Sequence, residues 1–355
     1  MQLIINQLFS NKIDSSKEAK VFKKLNYKRI IVQDSTIVKL PSSLYETFKG
    51  VSNKCSKSAN ARIQVVYDIL SEQFLTFSVD SYSITDQKAA PDLKIKEGDL
   101  VLRDRGYLTF AEIKRHIEEG ADCIYRLKFK MNLLDVKTHK VIDLVKLLKR
   151  KPYLDMEVCL NDKDRTVVRI VSAPVSEQVA ADRRRKAKKE SHGKNPSDTF
   201  LEFLGWNIFI TTINNKQIAY DELFKLYALR WRIETIFKSW KSYLNLTRYN
   251  NISDIQLSIL LMGRFFMAIL FTQFFYHKCR ILVSEKYQRD ISLMKLFEFL
   301  TTNLGKVVLF AKALNDNNQQ HRDKLLSKLK KHCCYDIRSD RQNYQQQLNT
   351  VLCLS

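Results

Sequence analysis

The sequence predicts an α/β fold, and three observations carry that reading. Runs rich in β-branched and aromatic residues fill the first third, an amphipathic helix lies near residue 230, and the chain beyond residue 250 turns helical. KRIIVQDSTIVKLP (28–41) is a strand with Asp34 set in an apolar run. ARIQVVYDIL (61–70) and EQFLTFSVDS (72–81) flank a tight turn and predict a hairpin. GDLVLRDRGYLT (98–109) is a short apolar strand ending at Asp104, with Gly106 where the chain turns. FAEIKRHIEEGA (110–121) predicts a helix with a glycine stop, and DCIYRLKF (122–129) a fifth strand. Strand, hairpin, strand, helix, strand is the order of an RNase H-like core.

Between 130 and 205 the character changes. VIDLVKLLKRKPYLDMEVCLNDKDRTVVRIVSAP suggests short strands, and DRRRKAKKESHGKNPSD (182–198) a basic loop or helix. GWNIFITTI (205–213) then returns as a strand and feeds the helix near 230. Residues 254–310 read as helical, and the Gln/Asn/Lys-rich tail after 315 as partly helical. The expected division is 28–129 for the first part of the core, 130–205 for a β-rich insertion, 206–250 for the second part and 251–355 for a helical C-terminal region. No internal repeat is visible.

Composition bounds the function. The 355 residues are 45% hydrophobic and 28% charged, which is a folded, soluble composition, and eight Gly with five Pro leave little room for long linkers. Sixty Lys and Arg against 38 Asp and Glu give a net charge of +22. That excess favours a polyanionic partner, nucleic acid first and anionic membrane second. The seven cysteines (55, 123, 159, 279, 333, 334 and 353) are odd in number and lack CxxC spacing, which predicts free thiols in a reducing cytoplasm. His332-Cys333-Cys334 lacks a second ligand pair at zinc spacing. The N-terminus has no signal-peptide pattern. LSILLMGRFFMAILFTQFFY (257–276) is long enough to span a bilayer, but Arg264, Ser258, Thr272 and Gln273 make insertion costly. It predicts a core helix, and no membrane partner.

YALRWRIETIFKSWK (227–241) holds one carboxylate, Glu234, among four basic side chains. At about 100° per residue, Tyr227, Arg230, Glu234 and Lys241 fall within an arc of roughly 60° along about 21 Å of helix. Leu226, Leu229, Ile233, Ile236, Phe237 and Trp240 form the buried face, while Thr235, Ser239, Arg232 and Lys225 are expected to face solvent. Two readings stay open: a ligand-gripping stripe, or an ordinary Arg230–Glu234 pair worth a few tenths of a kcal/mol.

Three carboxylates stand out by position: Asp34 within a strand, Asp104 at a strand end, and Glu234 on the helix. Carboxylates beside apolar runs are expensive to bury unpaired. Gathered at one point they need cations, and hard oxygen ligands suit Mg²⁺ or Mn²⁺. Two such ions about 3.5–4 Å apart serve phosphodiester chemistry. The plainer alternative makes Asp34 a turn or cap residue, pairs Asp104 with Arg103 or Arg105, and leaves Glu234 in its helix pair.

The spacing Tyr227, Arg230, Glu234, Lys241 resembles the YREK signature of the IS-four family of insertion-sequence DDE transposases. QDSTIVKLP resembles that family's first-Asp block, GDLVLRDRGY its second, and GWNIFITTI the strand leaving its insertion domain; the likeness runs from about residue 28 to 280. The resemblance implies an RNase H-like (DDE/retroviral-integrase-type) core and a metal-binding catalytic triad of Asp34, Asp104 and Glu234 with two Mg²⁺ (or Mn²⁺) ions. It implies that Tyr227, Arg230 and Lys241 grip phosphates of the transposon end. Trp206 would stack on a flipped base in a cut-and-paste route through a DNA hairpin, with a core tryptophan as the alternative. The run Arg183, Arg184, Arg185, Lys186, Lys188, Lys189 could lie on phosphates or form a solvated loop. Expected partners are DNA, as transposon ends and target, and a second copy when ends are synapsed; the expected location is cytoplasmic, at the nucleoid.

One departure is visible. The family carries a helical DNA-binding domain before the first Asp, where this chain has 33 residues, so 1–27 is expected to be a remnant of that region. Truncation, a misassigned start, or end recognition done elsewhere would explain it. The rivals to an active transposase are a catalytically inactive DNA-binding remnant or regulator, and a plain RNase H-like nuclease.

Overall fold

The computed structural model describes residues 27–52, 57–89, 93–191, 195–245, 253–315, 319–337 and 342–352. The expected remnant at 1–27 therefore lies outside the described residues, Tyr27 excepted. The chain divides into two compact units: one holds Ile31–Thr85 and Ala228–Ser355, the other Leu25–Ile30 and Asp86–Tyr227.

In the first unit, β1 (Arg29–Leu40) pairs antiparallel with β3 (Lys57–Asp68), placing Asp34 opposite Val65. The short β2 (Lys49–Ser52) meets the start of β3, and β4 (Gln73–Ser81) pairs along the rest of it. The expected hairpin is thus β3–β4, and Glu72 turns it with a positive φ of 54°. β3 is buried from Ala61 to Asp68, its polar residues Arg62, Gln64 and Asp68 included.

In the second unit, β5 (Asp99–Arg103) runs parallel to β6 (Asp122–Arg126). The helix between them, α1 (Phe110–Glu118), is capped by Thr109, whose side chain accepts from the Glu112 amide at 3.1 Å. Gly120, at φ 67°, supplies the left-handed stop that the sequence predicts. The sheet continues antiparallel through β10 (Trp206–Thr211), β9 (Val167–Pro174), β8 (Leu154–Leu160) and the two-residue β7 (Leu133–Leu134). Strands of the 130–205 segment therefore extend the sheet that carries β5 and β6. Helices α2 (Leu144–Arg150), α3 (Glu177–Glu190) and α4 (Asp198–Phe203) accompany them, and α5 (Tyr220–Ala228) follows β10. Tyr125, Leu148, Ile170, Ile208 and Ile210 lie at the centre of this unit's apolar cluster. Full burial of each such side chain contributes about 1.5–3 kcal/mol.

The chain re-enters the first unit with α6 (Trp231–Tyr243). Six further α-helices are described: α7 (Asp254–Ile269), α8 (His277–Tyr287), α9 (Leu293–Thr302), α10 (Val307–Asn315), α11 (Gln319–Cys333) and α12 (Tyr344–Leu352). A π-helical stretch, Leu270–Tyr276, joins α7 to α8. The run Ile255–Tyr287 is long and apolar enough to cross a membrane by length and composition. Within it, Phe265, Ala268, Phe271 and Phe275 are buried in the protein, and the Phe265 ring sits 4.6 Å from that of Phe77. Ile255, Ile259 and Leu260 are exposed. The five described cysteines are free and buried.

Candidate active site

Asp34 and Glu234 meet on one cation. The Arg230 guanidinium donates from Nη1 to Asp34 Oδ2 at 2.8 Å and from Nη2 to Glu234 Oε1. The three side chains are 9%, 18% and 29% exposed for Arg230, Asp34 and Glu234, so the bridge is largely shielded from water. The second oxygen of Asp34 accepts from the Ser35 amide at 2.8 Å. β1 places Asp34 just after the buried Ile30–Gln33 stretch. α6 places Glu234 in its first turn beside a face of Ile233, Ile236, Phe237 and Trp240, all buried as expected.

The i,i+4 pair of the plainer reading exists, and the same guanidinium also pairs with a carboxylate 196 residues earlier in the chain. Two carboxylates are thus brought together on one positive charge. Their hard oxygens are the donors that Mg²⁺ or Mn²⁺ takes, so these residues suit a divalent ion.

Two expectations about this helix are corrected. The stripe does not lie on one continuous helix, because α5 ends at Ala228, Leu229 and Arg230 form a turn, and α6 starts at Trp231. The Arg232 and Ile233 amides reach back three residues, to Leu229 and Arg230, rather than four. Neither Gly nor Pro marks the break. Tyr227 belongs to the second unit, where its ring packs on Phe209 (centroids 4.4 Å apart) and its hydroxyl donates to the Arg103 carbonyl at 3.3 Å. Arg232, expected in solvent, is 1% exposed. Its guanidinium lies 4.7 Å from the Tyr276 ring centroid and 4.4 Å from that of Tyr344. Ser239, on the same supposed outer face, is also buried. Distant aromatic segments cover a face that a helical wheel assigns to water. Lys241 is half-buried, and that burial lowers its ammonium pKa.

Asp104 stands in the second unit, at the end of β5. Its neighbour Arg103 turns inward, donating to Glu112 Oε2 at 2.6 Å and to the Tyr125 hydroxyl at 3.0 Å. Arg103 is therefore not its partner, contrary to the plainer alternative. Burial alone would raise the Glu112 carboxyl pKa, but Arg115 and Arg103 hold it below the usual range. Among the described residues no hydrogen bond or ion pair holds the Asp104 carboxylate. Its charge is felt by Lys128, whose ammonium burial pushes down and Asp104 pulls back up.

The basic run does not act as one strip. α3 is capped by Ser176, whose hydroxyl oxygen accepts from the Val179 amide. From this helix Arg183 points inward to the Leu204 and Trp206 carbonyls, both at 3.3 Å, and to Asn207 Oδ1 at 2.7 Å. Arg184 pairs with Glu177 and donates to the Leu201 carbonyl, and the exposed Arg185 pairs with Asp182. Trp206 opens β10 and packs part-buried against the apolar cluster, with its indole N–H enclosed and without an acceptor among the described residues. Among the described residues no group of three or more His, Cys, Asp or Glu forms a ready metal cage. Arg105, which the sequence offers only as a partner for Asp104, and Arg126, which carries no sequence signal, converge with Arg183 in the second unit.

Paired carboxylates on a strongly basic α/β scaffold are in keeping with a partner that is nucleic acid. Residues 26–271 match the family described as Transposase DDE domain, and the chain belongs to it. Members of that family depend on divalent metal ions. The chain is 26% identical over 342 residues to the transposase for insertion sequence element IS231B of Bacillus thuringiensis subsp. berliner, covering 90% of this chain and 70% of that protein. It is 26% identical to the transposase for IS231E of B. thuringiensis subsp. finitimus, covering 89% and 70%. For the transposase of IS1151 from Clostridium perfringens the figures are 24%, 76% and 62%. The chain thus spans 62–70% of these relatives' length. Among solved structures it is similar to a piggyBac transposase synaptic complex with hairpin DNA, with a TM-score of 0.43 and 10% identity over 98% of this chain and 67% of that one.

Proposed function

We propose that this chain is a DNA transposase that cleaves insertion-sequence ends and transfers strands, with Asp34, Asp104 and Glu234 as its metal-binding carboxylates on an RNase H-like core. The observation that carries the reading is the single guanidinium shared by Asp34 and Glu234, two carboxylates from distant parts of the sequence. Two bound Mg²⁺ or Mn²⁺ ions would supply Lewis acidity to the attacking hydroxyl and the leaving oxygen of a phosphodiester.

The chain's own residues supply the rest. Arg230 presents a planar fork that suits a phosphate bidentately, and Lys241 a point charge. Tyr227 we assign to positioning: its hydroxyl holds the Arg103 carbonyl, one residue before Asp104, and so fixes the end of β5. Trp206 we assign to the core rather than to a flipped base. The 130–205 segment is the insertion between the two parts of the core, and the cut-and-paste route runs through a DNA hairpin.

The test is cleavage by the full chain of a duplex carrying the inverted repeats that bound its gene, with Mg²⁺ and with EDTA. Asp34→Ala, Asp104→Ala and Glu234→Ala should each abolish metal-dependent cleavage while DNA binding persists. Hairpinned ends on a denaturing gel test the route. Wild-type cleavage in any variant removes that residue from the site, and an unmodified chain that binds these ends without cutting them would be the regulator instead.

A further inference from the structure

A cleft of about 560 Å³ lies wholly within the second unit, lined by Arg105, Arg126, Arg183 and Lys186 with the apolar wall of Phe200 and Leu204. Its lining is predominantly basic. Among the described residues lining it, Glu190 is the one carboxylate, and it stands 3.8 Å from Lys186 on the same helix. Arg183 is well hydrogen-bonded, but to two carbonyls and an amide oxygen, so its charge is fixed in place without being neutralised. Burial, then the charges of Arg126 and Arg105, push its guanidinium pKa down to about 10. Three guanidinium groups brought from a strand end, the turn after Asp104 and a helix repel one another, and an anion among them would relieve that cost.

We infer that this cleft binds the phosphodiester backbone of DNA, seating a phosphate among Arg105, Arg126 and Arg183 with its sugar against Phe200 and Leu204. Planar guanidinium forks match phosphate oxygens, and the volume falls in the range of about 300–1,000 Å³ that ligand sites occupy. Arg105 directly follows Asp104, so the phosphate lies at the strand end that carries the proposed metal-binding carboxylate. A net charge of +22 favours DNA over an acidic peptide as the source of the anion. The inference rests on the DNA-processing reading above and adds to it a backbone contact in the second unit.

The experiment is fluorescence anisotropy of a labelled duplex of about 30 base pairs with the full chain, titrated between about 50 and 200 mM salt. Arg126→Gln, Arg105→Gln and Lys186→Glu should each lower the salt slope by about 0.9 and weaken binding at low salt about tenfold. Lys189→Gln, on the same helix but outside the cleft, should leave both nearly unchanged. Thermal melts confirm folding, and the exposed Lys186→Glu keeps the test decisive if Arg126→Gln does not fold. Unchanged slopes in the cleft variants, or an equal drop in Lys189→Gln, would overturn the cleft. Triad-dependent cleavage would then still stand, and its absence with intact cleft binding would overturn the transposase reading alone.

Discussion

Replacing Arg230 by Gln removes a positive charge that Asp34 and Glu234 share. Both carboxylates lie within hydrogen-bond reach of the same guanidinium, so their nearest oxygens would face each other across about 5 Å. At that separation, and an effective dielectric constant near 20, two negative charges repel by about 3 kcal/mol. The 18% and 29% exposure of the two acids reduces this, so a loss of about 1–3 kcal/mol is expected in metal-free solution. A divalent ion reverses the ranking. In the unmodified chain the ion must displace the guanidinium, whereas in Arg230→Gln the carboxylate pair is open to it. Ligand-linked stabilisation follows RT ln(1 + [L]/Kd), so the rise in Tm with Mg²⁺ should be larger in the variant. Arg230→Lys should be intermediate, since an ammonium keeps the charge but cannot bridge with a fork. Differential scanning calorimetry in EDTA and across a Mg²⁺ titration measures all three proteins. Equal Tm values in EDTA, or the same Mg²⁺ increment in each, would refute a site organised around a cation.

The remaining predictions concern the first unit and the proposed DNA contacts. Glu72 is buried beside His277 and Arg280, each with a nitrogen 3.1 Å from Oε2, and although burial opposes it, Arg280, His277 and Arg232 bring its carboxyl down to about 2. A depressed carboxyl contributes stability above its unfolded pKa and loses it as pH falls, so about 3 kcal/mol should disappear between pH 4.5 and 2. Glu72→Gln should flatten that acid limb in pH-dependent denaturant melts; an unaltered limb would place the loss elsewhere. Arg232 is buried and its charge helps keep the buried Glu72 ionised, so Arg232→Met should destabilise the fold at neutral pH by leaving that carboxylate less compensated. Tyr344→Ala should cost about 3–5 kcal/mol by uncovering the guanidinium, and an unchanged Tm in either variant would refute the assignment. Lys241→Ala should lower the salt slope of end binding by about 0.9 and leave cleavage of bound ends intact; an unchanged slope would take Lys241 off the DNA.

Local patterns were legible where one element settles its own chemistry. β1, the β3–β4 hairpin, the glycine-stopped helix and the buried face of α6 each follow from periodicity and turn residues, and the structure contains all four. The features that escaped depend on partners far away in sequence. Arg232 lies under Tyr276 and Tyr344, and Tyr227 reaches a carbonyl 124 residues back, so no helical wheel drawn over 227–241 could place either. The turn at Leu229–Arg230 carries no breaker residue, yet it lies at the boundary between the units, which divide after Tyr227. The basic run shows the same limit from another side. Consecutive helical residues point about 100° apart, so Arg183 can enter a cleft while Arg184 and Arg185 satisfy local carboxylates. What Arg183 meets there, Arg105 and Arg126, comes from two other elements. Charge counting along the chain finds basic residues; which of them confront an anion is decided by the guanidinium groups that the fold leaves facing one another.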